Sequence, residues 1–181
     1  MNTLFWIIIS SSVISLMKPV ISGEMSVYFD EFVIKYWMPD LFEKIECELF
    51  HIDNRSYVNG GFMLKRNVSE ISVRTAMDFW KPNNQKMKIY DVRLDACLLL
   101  RTAHKNRLFN IYVKSFKKHT KANLICPFKA NYSYTFTNWQ LETQDLPSFI
   151  PVGTFRTITE YFTQQQLGLR IVTSGKFTAK N

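Results

Sequence analysis

Three cysteines, Cys47, Cys97 and Cys126, offer the most definite chemistry in this 181-residue chain: one disulfide and one thiol left over. Spacing alone does not say which two pair. A bridge from Cys97 to Cys126 would close a loop of about 30 residues and stabilise by roughly 3–4 kcal/mol, through the entropy it removes from the unfolded chain. Cys47 would then be buried, or joined to another molecule. The histidines His51, His104 and His119 stand far apart without flanking ligands, and no Cys-x-x-Cys occurs, so no metal site is expected. Asp91 and Asp95 share a strand face with Arg93 between them, which reads as a surface ion pair plus a helix cap. No Ser-His-Asp arrangement is indicated. Asn59-Gly60-Gly61 reads as a turn between strands, not as a phosphate loop. A non-enzyme without a cofactor is the expectation.

Other residue sets point to binding or modification. Asn54-Arg55-Ser56, Asn67-Val68-Ser69 and Asn131-Tyr132-Ser133 are glycosylation acceptor triplets. Lys114, Lys117, Lys118 and Lys121, with His119, form the densest basic cluster. It falls at the end of a helical segment, where cations complement the negative end of the helix dipole; the alternative use is contact with an anionic glycan or lipid head group. Aromatic residues make up 15% of the chain, enough for either a thick ring core or a ring-lined cavity. If a cavity opens, Phe62, Met77, Phe79, Phe109, Tyr112 and Phe136 are the candidates to line it.

The elements that must position these residues are mostly strands. From Glu70 to Trp80, Ile71, Val73, Thr75, Met77 and Phe79 alternate with polar neighbours. After the Pro82-Asn83-Asn84 punctuation, a second alternation runs through Tyr90, Val92, Leu94 and Ala96, and the two predict a hairpin. Tyr132, Tyr134 and Phe136 mark another strand, while Thr154–Phe162 and Leu167–Phe177 flank a short Gln-rich link. Leu108, Ile111, Tyr112 and Ser115 repeat instead at three and four residues, predicting a helical insert near 98–118 with Asp95 as its cap. The competing reading carries the second strand on through Leu100. Antiparallel strands with one helical insert match a two-sheet sandwich better than a doubly wound parallel sheet.

Ahead of these strands lies an uncharged apolar run of 13 residues, Leu4 to Leu16. It is too short for a membrane span and is closed by Lys18 and Pro19, so residues 1–22 read as a secretory signal peptide. The remaining 159 residues would form a single mature domain of net charge +7, against +8 for the whole chain. That domain would have no transmembrane segment. Outside the cell, such a charge favours an acidic glycan, a lipid head group or an acidic receptor face, and no nucleic-acid partner is expected.

The runs Tyr90-Asp91-Val92-Arg93-Leu94-Asp95-Ala96-Cys97, Ala122-Asn123-Leu124-Ile125-Cys126-Pro127-Phe128, Leu146-Pro147 and Ile150-Pro151-Val152-Gly153-Thr154-Phe155-Arg156 carry a family likeness. Together they give the order D-x-C, N-x-x-C-P-F, P-x-G-x-[YF]-[RK]. The chain resembles an insect-specific secreted family of unknown function (a DUF-type family), related to the CheB chemosensory proteins and distantly to the ML lipid-recognition fold of the GM2 activator and NPC2 type. The resemblance spans Cys47 to Arg156. It implies an immunoglobulin-like sandwich with an apolar pocket between the sheets and a Cys97 to Cys126 pairing. Family members pair the early cysteine within the following strand; Phe62 or Met63 stands there in this chain, which orphans Cys47. Two functions follow as expectations: a secreted protein holding a lipid or hydrocarbon between two sheets, in chemosensation or pheromone response, or an extracellular protein- or glycan-interaction module with a filled core.

Overall fold

The computed structural model describes residues 25–105, 107–142 and 150–179. The apolar leader and the Leu146-Pro147 pair lie outside the described residues. Within them the chain runs β1 (Met25–Tyr36), β2 (Phe42–Ile52), β3 (Arg55–Leu64), β4 (Ser72–Trp80) and β5 (Lys86–Asp95), then α1 (Ala96–Arg101) and α2 (Arg107–His119), then β6 (Ser133–Trp139), β7 (Gly153–Thr163) and β8 (Gln166–Ala179). One sheet has the order β1-β8-β7-β4-β5 and the other β2-β3-β6. Every pairing is antiparallel. The result is a mainly β, two-sheet antiparallel sandwich with a helical insert.

Local chemistry explains the hairpins. Asp53 and Asn54 take positive φ (49° and 61°) between β2 and β3, and Gln164 and Gln165 do the same (51° and 63°) between β7 and β8. Two left-handed residues in succession match the right-handed twist of the flanking strands. Between β4 and β5, Asn84 (φ 62°) follows Pro82-Asn83, and the Asn83 side chain accepts from the Gln85 N–H at 3.1 Å.

The helical insert begins two residues earlier than its spacing predicts and divides in two. Asp95 caps α1, its carboxylate accepting from the Leu98 N–H at 2.9 Å, so the strand reading through Leu100 gives way. Buried Phe109, Ile111 and Ser115 mark the inward stripe of α2. A disulfide joins Cys97 to Cys126, at a Cα separation of 5.6 Å, and staples α1 to the segment after α2.

Two expectations are corrected here. Asn59-Gly60-Gly61 is not a turn but the middle of β3, which runs straight through it. A Cβ on Gly60 would lie 2.6 Å from the Phe136 ring and 2.8 Å from the Glu46 carbonyl, so glycine is there because neighbouring strands come too close for a side chain. Asp91 is paired not with Arg93 but across the ladder with Arg74, through two hydrogen bonds of 3.0 Å. Arg93 sits over the Phe162 ring instead. Sequence spacing sees the neighbour two residues away on the same strand, whereas the closer neighbour lies on the adjacent strand.

The buried apolar residues form two clusters. One gathers Val27, Phe29, Val58, Met77, Phe79, Trp139, Leu141, Phe155 and Phe177, and the other Met38, Leu41, Leu64, Val68, Leu124, Phe128 and Tyr134.

Candidate functional site

A cavity of about 360 Å³ is walled by residues of both core clusters. Cross-strand partners share a sheet face, so register orders the inner face of the five-stranded sheet, part of which walls the cavity. Phe79 faces Phe155 in one row, and both are almost completely buried, closing that end. In the next row Thr173, Thr157, Met77 and Tyr90 stand side by side across β8, β7, β4 and β5. Ile171, Thr159, Thr75 and Val92 form the row after, followed by Leu169, Tyr161, Val73 and Leu94.

The opposite wall comes from β2, β3 and β6, with Ile45, Phe62, Leu64, Phe136 and Trp139. On β6 strict alternation would place Phe136 and Trp139 on opposite faces. Asn138 prevents this by taking a positive φ of 52° beside a register shift in the β3 and β6 pairing, so both rings face the cavity. Helix α2 closes the flank where β5 and β6 are the sheet edges. Phe109 meets Tyr90 edge-on at 5.4 Å, and Phe116 packs on Phe136 at 5.0 Å. Ser115 anchors this helix by donating to the Gln140 carbonyl.

The other flank has no such cover among the described residues. The edge strands β1 and β2 bound a second hollow of about 340 Å³, lined by Phe32, Ile34, Tyr36, Ile45, Glu46 and Cys47. Phe32, Ile34, Ile45 and Glu46 belong to the walls of both spaces.

Of the six candidate lining residues, Phe62, Phe109, Tyr112 and Phe136 are brought together around the cavity. Met77 and Phe79 are not, and instead fill the closed end with Phe29, Phe155 and Phe177. They share a strand face with Val73 and Thr75, which do reach the cavity. Position along the strand separates them, and alternation carries no information about that. Threonines complete this wall. Thr75, Thr157, Thr159, Thr163 and Thr173 line the cavity together, a signal present in the inward positions of β4, β7 and β8 but read only as strand propensity. On β2, Ile45, Cys47 and Leu49 alternate with Lys44, Glu46 and Glu48, a strand signal of the same local kind.

The ionisable groups are segregated. Glu46, which pairs with Lys44 at 2.8 Å and stays half exposed, is the one cavity-wall residue charged at neutral pH among those described. Burial raises the Tyr161 hydroxyl to about 12 and the Tyr112 hydroxyl well above the ordinary phenol value, so both remain protonated. Charges collect elsewhere: Glu160 holds Arg170 at 2.6 Å and Arg74 at 3.6 Å. Cys47 is a free, half-buried thiol pushed up to about 11 by burial. The residue facing it across the ladder is Gly60, while Phe62 faces Ile45 and Met63 faces Lys44.

The remaining candidates are dispersed. Lys117 donates to the Leu100 carbonyl at the end of α1, and Lys118 pairs with Glu142 at 2.8 Å. Lys114 and Lys121 are exposed. Asn54, Asn67 and Asn131 are all exposed, and Asn67 uses its side-chain oxygen to accept from the Ala130 N–H. Among the described residues no group of acidic, histidine or cysteine side chains is placed to hold a metal, and no helix is long and apolar enough to cross a membrane.

Residues 73–157 match the sequence pattern of a family described as "Protein of unknown function (DUF1091)". No curated protein sequence matches the chain. Among solved structures, a Niemann-Pick type C2 protein from Japanese carpenter ant is similar at 12% identity, over 85% of this chain and 94% of that one, with a TM-score of 0.32.

Proposed function

We propose that this chain is a secreted, non-enzymatic binding protein that shields one lipid-like molecule between its two sheets. The observation that carries the proposal is the cavity of about 360 Å³ with a predominantly apolar lining. Its volume lies in the range typical of small-molecule sites. Protein interiors are otherwise close-packed, and an unfilled apolar void of this size forgoes several kcal/mol, on the order of 24 cal/mol for each Å³. A bound apolar chain recovers those contacts and gains about 25 cal/mol per Å² of surface taken from water. The hollow between β1 and β2 is the natural entrance, because it shares its walls with the cavity. The disulfide is in keeping with an oxidising compartment. Passage through the secretory route would also expose Asn54, Asn67 and Asn131 to glycosylation.

The test is mass spectrometry of an organic extract from protein purified out of expression medium, beside a mock-purified control. A stoichiometric lipid or hydrocarbon is expected in the wild type. Its loss is expected in Val73→Phe, which fills part of the cavity from β4. An empty extract, still empty after incubation with candidate lipids, would overturn the proposal.

A further inference from the structure

The cavity is apolar but not uniformly so, and its polar atoms are concentrated on one wall. Thr75 and Thr159 are cross-strand partners whose hydroxyl oxygens lie 3.0 Å apart. One row away, Thr157 is flanked by Thr173, and Tyr90 faces the hydroxyls of Thr75 and Thr157. The Thr157 Oγ1 is buried without a hydrogen-bond partner among the described residues. Across the cavity Trp139, which also lines it, has a buried indole N–H with no partner among the described residues. Thr157 and Trp139 are each only 7% exposed. A buried polar group without a hydrogen bond is costly, so one within the hydroxyl band and a second on the facing wall call for a complementary group from outside the chain.

Resting on the reading of this chain as a carrier, we infer that its ligand is an amphiphile with one neutral oxygen function, an alcohol, ester or ketone, held at the hydroxyl band of Thr75, Thr157, Thr159 and Tyr90. Both neighbouring classes are disfavoured. A bare hydrocarbon leaves the band unsatisfied. An ionised acid or phosphate would lose its hydration with no cation among the described wall residues, whose one charged member is the carboxylate of Glu46. Burial raises the neighbouring Tyr90 and Tyr112 hydroxyls, so they stay neutral donors.

Four probes of equal chain length decide this: hexadecane, hexadecanol, methyl palmitate and palmitate at pH 8, each titrated against delipidated protein and followed by tryptophan fluorescence and by extraction. Hexadecanol and methyl palmitate are expected to bind about tenfold or more tightly than hexadecane and palmitate, as sites built around a hydrogen bond discriminate strongly against analogues that lack it. The isosteric double variant Thr75→Val with Thr159→Val should lose most of that preference, binding hexadecanol and methyl palmitate little more tightly than hexadecane, while an unchanged circular dichroism spectrum reports that the fold survives. Equal binding of hexadecane and hexadecanol, tight palmitate binding, or unchanged selectivity in the double variant would overturn the inference and leave the carrier reading standing. Failure of all four probes to bind would overturn both.

Discussion

At the level of single residues, the outer and inner faces of the five-stranded sheet follow different rules. Outside, Asp91 is held at about 2, below its ordinary value of 3.8, first by the hydrogen bonds it accepts from Arg74 and then by the one from Lys88. A carboxylate depressed in the folded state stabilises fully above its unfolded value and loses that contribution as pH falls through the folded one. Melting temperature should therefore drop between about pH 4 and pH 2, and Asp91→Asn should flatten that part of the profile. At Gly60 the constraint is steric: Gly60→Ala puts a methyl against backbone and the Phe136 ring, and a loss of about 1–3 kcal/mol is expected in denaturant unfolding. Cys47 is half-buried with its thiol pushed up to about 11. Wild type and Cys47→Ser should consequently give the same monomer band on non-reducing electrophoresis, and slow alkylation near pH 8 is expected.

Among the elements, the helical insert is the part that turns two sheets into a container. Its amphipathic α2 bridges the β5 and β6 edges through Phe109 and Phe116, and the Cys97 to Cys126 disulfide ties it down. Replacing both cysteines by serine should cost roughly 3–4 kcal/mol in the chain-entropy account. Beyond that loss, the variant should bind an apolar fluorescent dye more readily at temperatures well below its midpoint, because the flank opens before the sheets separate. An unchanged dye profile would mean that α2 holds without its staple. The helix and its cap were legible from the spacing of Ile111, Tyr112 and Ser115 and from Asp95, since both depend on neighbours within one or two turns. The first strand was harder to read. Its inward residues are Val27 and Phe29 and then, past the register shift between Phe29 and Glu31, Phe32 and Ile34. A bulge exchanges odd for even positions, and strict alternation then fails.

For the molecule as a whole, a core divided by a cavity makes stability depend on what fills it. Ligand that binds only the folded state adds about 2.7 kcal/mol when present at a hundred times its dissociation constant. Delipidated protein should thus melt at a lower temperature than protein as purified and recover when ligand is returned. Val73→Phe should show no such response, while its own melting temperature stays near that of the empty wild type. Equal melting temperatures before and after delipidation, with ligand verified in the first sample, would mean that the filled cavity does not support the fold.

The order of residues by itself determined the β-rich class, the β4 and β5 hairpin, the capped helical insert and the likeness that implied the Cys97 to Cys126 pairing. These follow from local alternation, turn chemistry and short motifs. Tertiary structure alone decided that Met77 and Phe79 pack solidly while Val73 and Thr75, on the same face of the same strand, border empty space. It also decided that Asn59-Gly60-Gly61 continues a strand and that Asp91 turns to Arg74. The reason is the same in each case. A cavity, a close strand approach and a cross-strand ion pair are properties of segments distant in sequence, set by register and sheet separation, which no local pattern encodes.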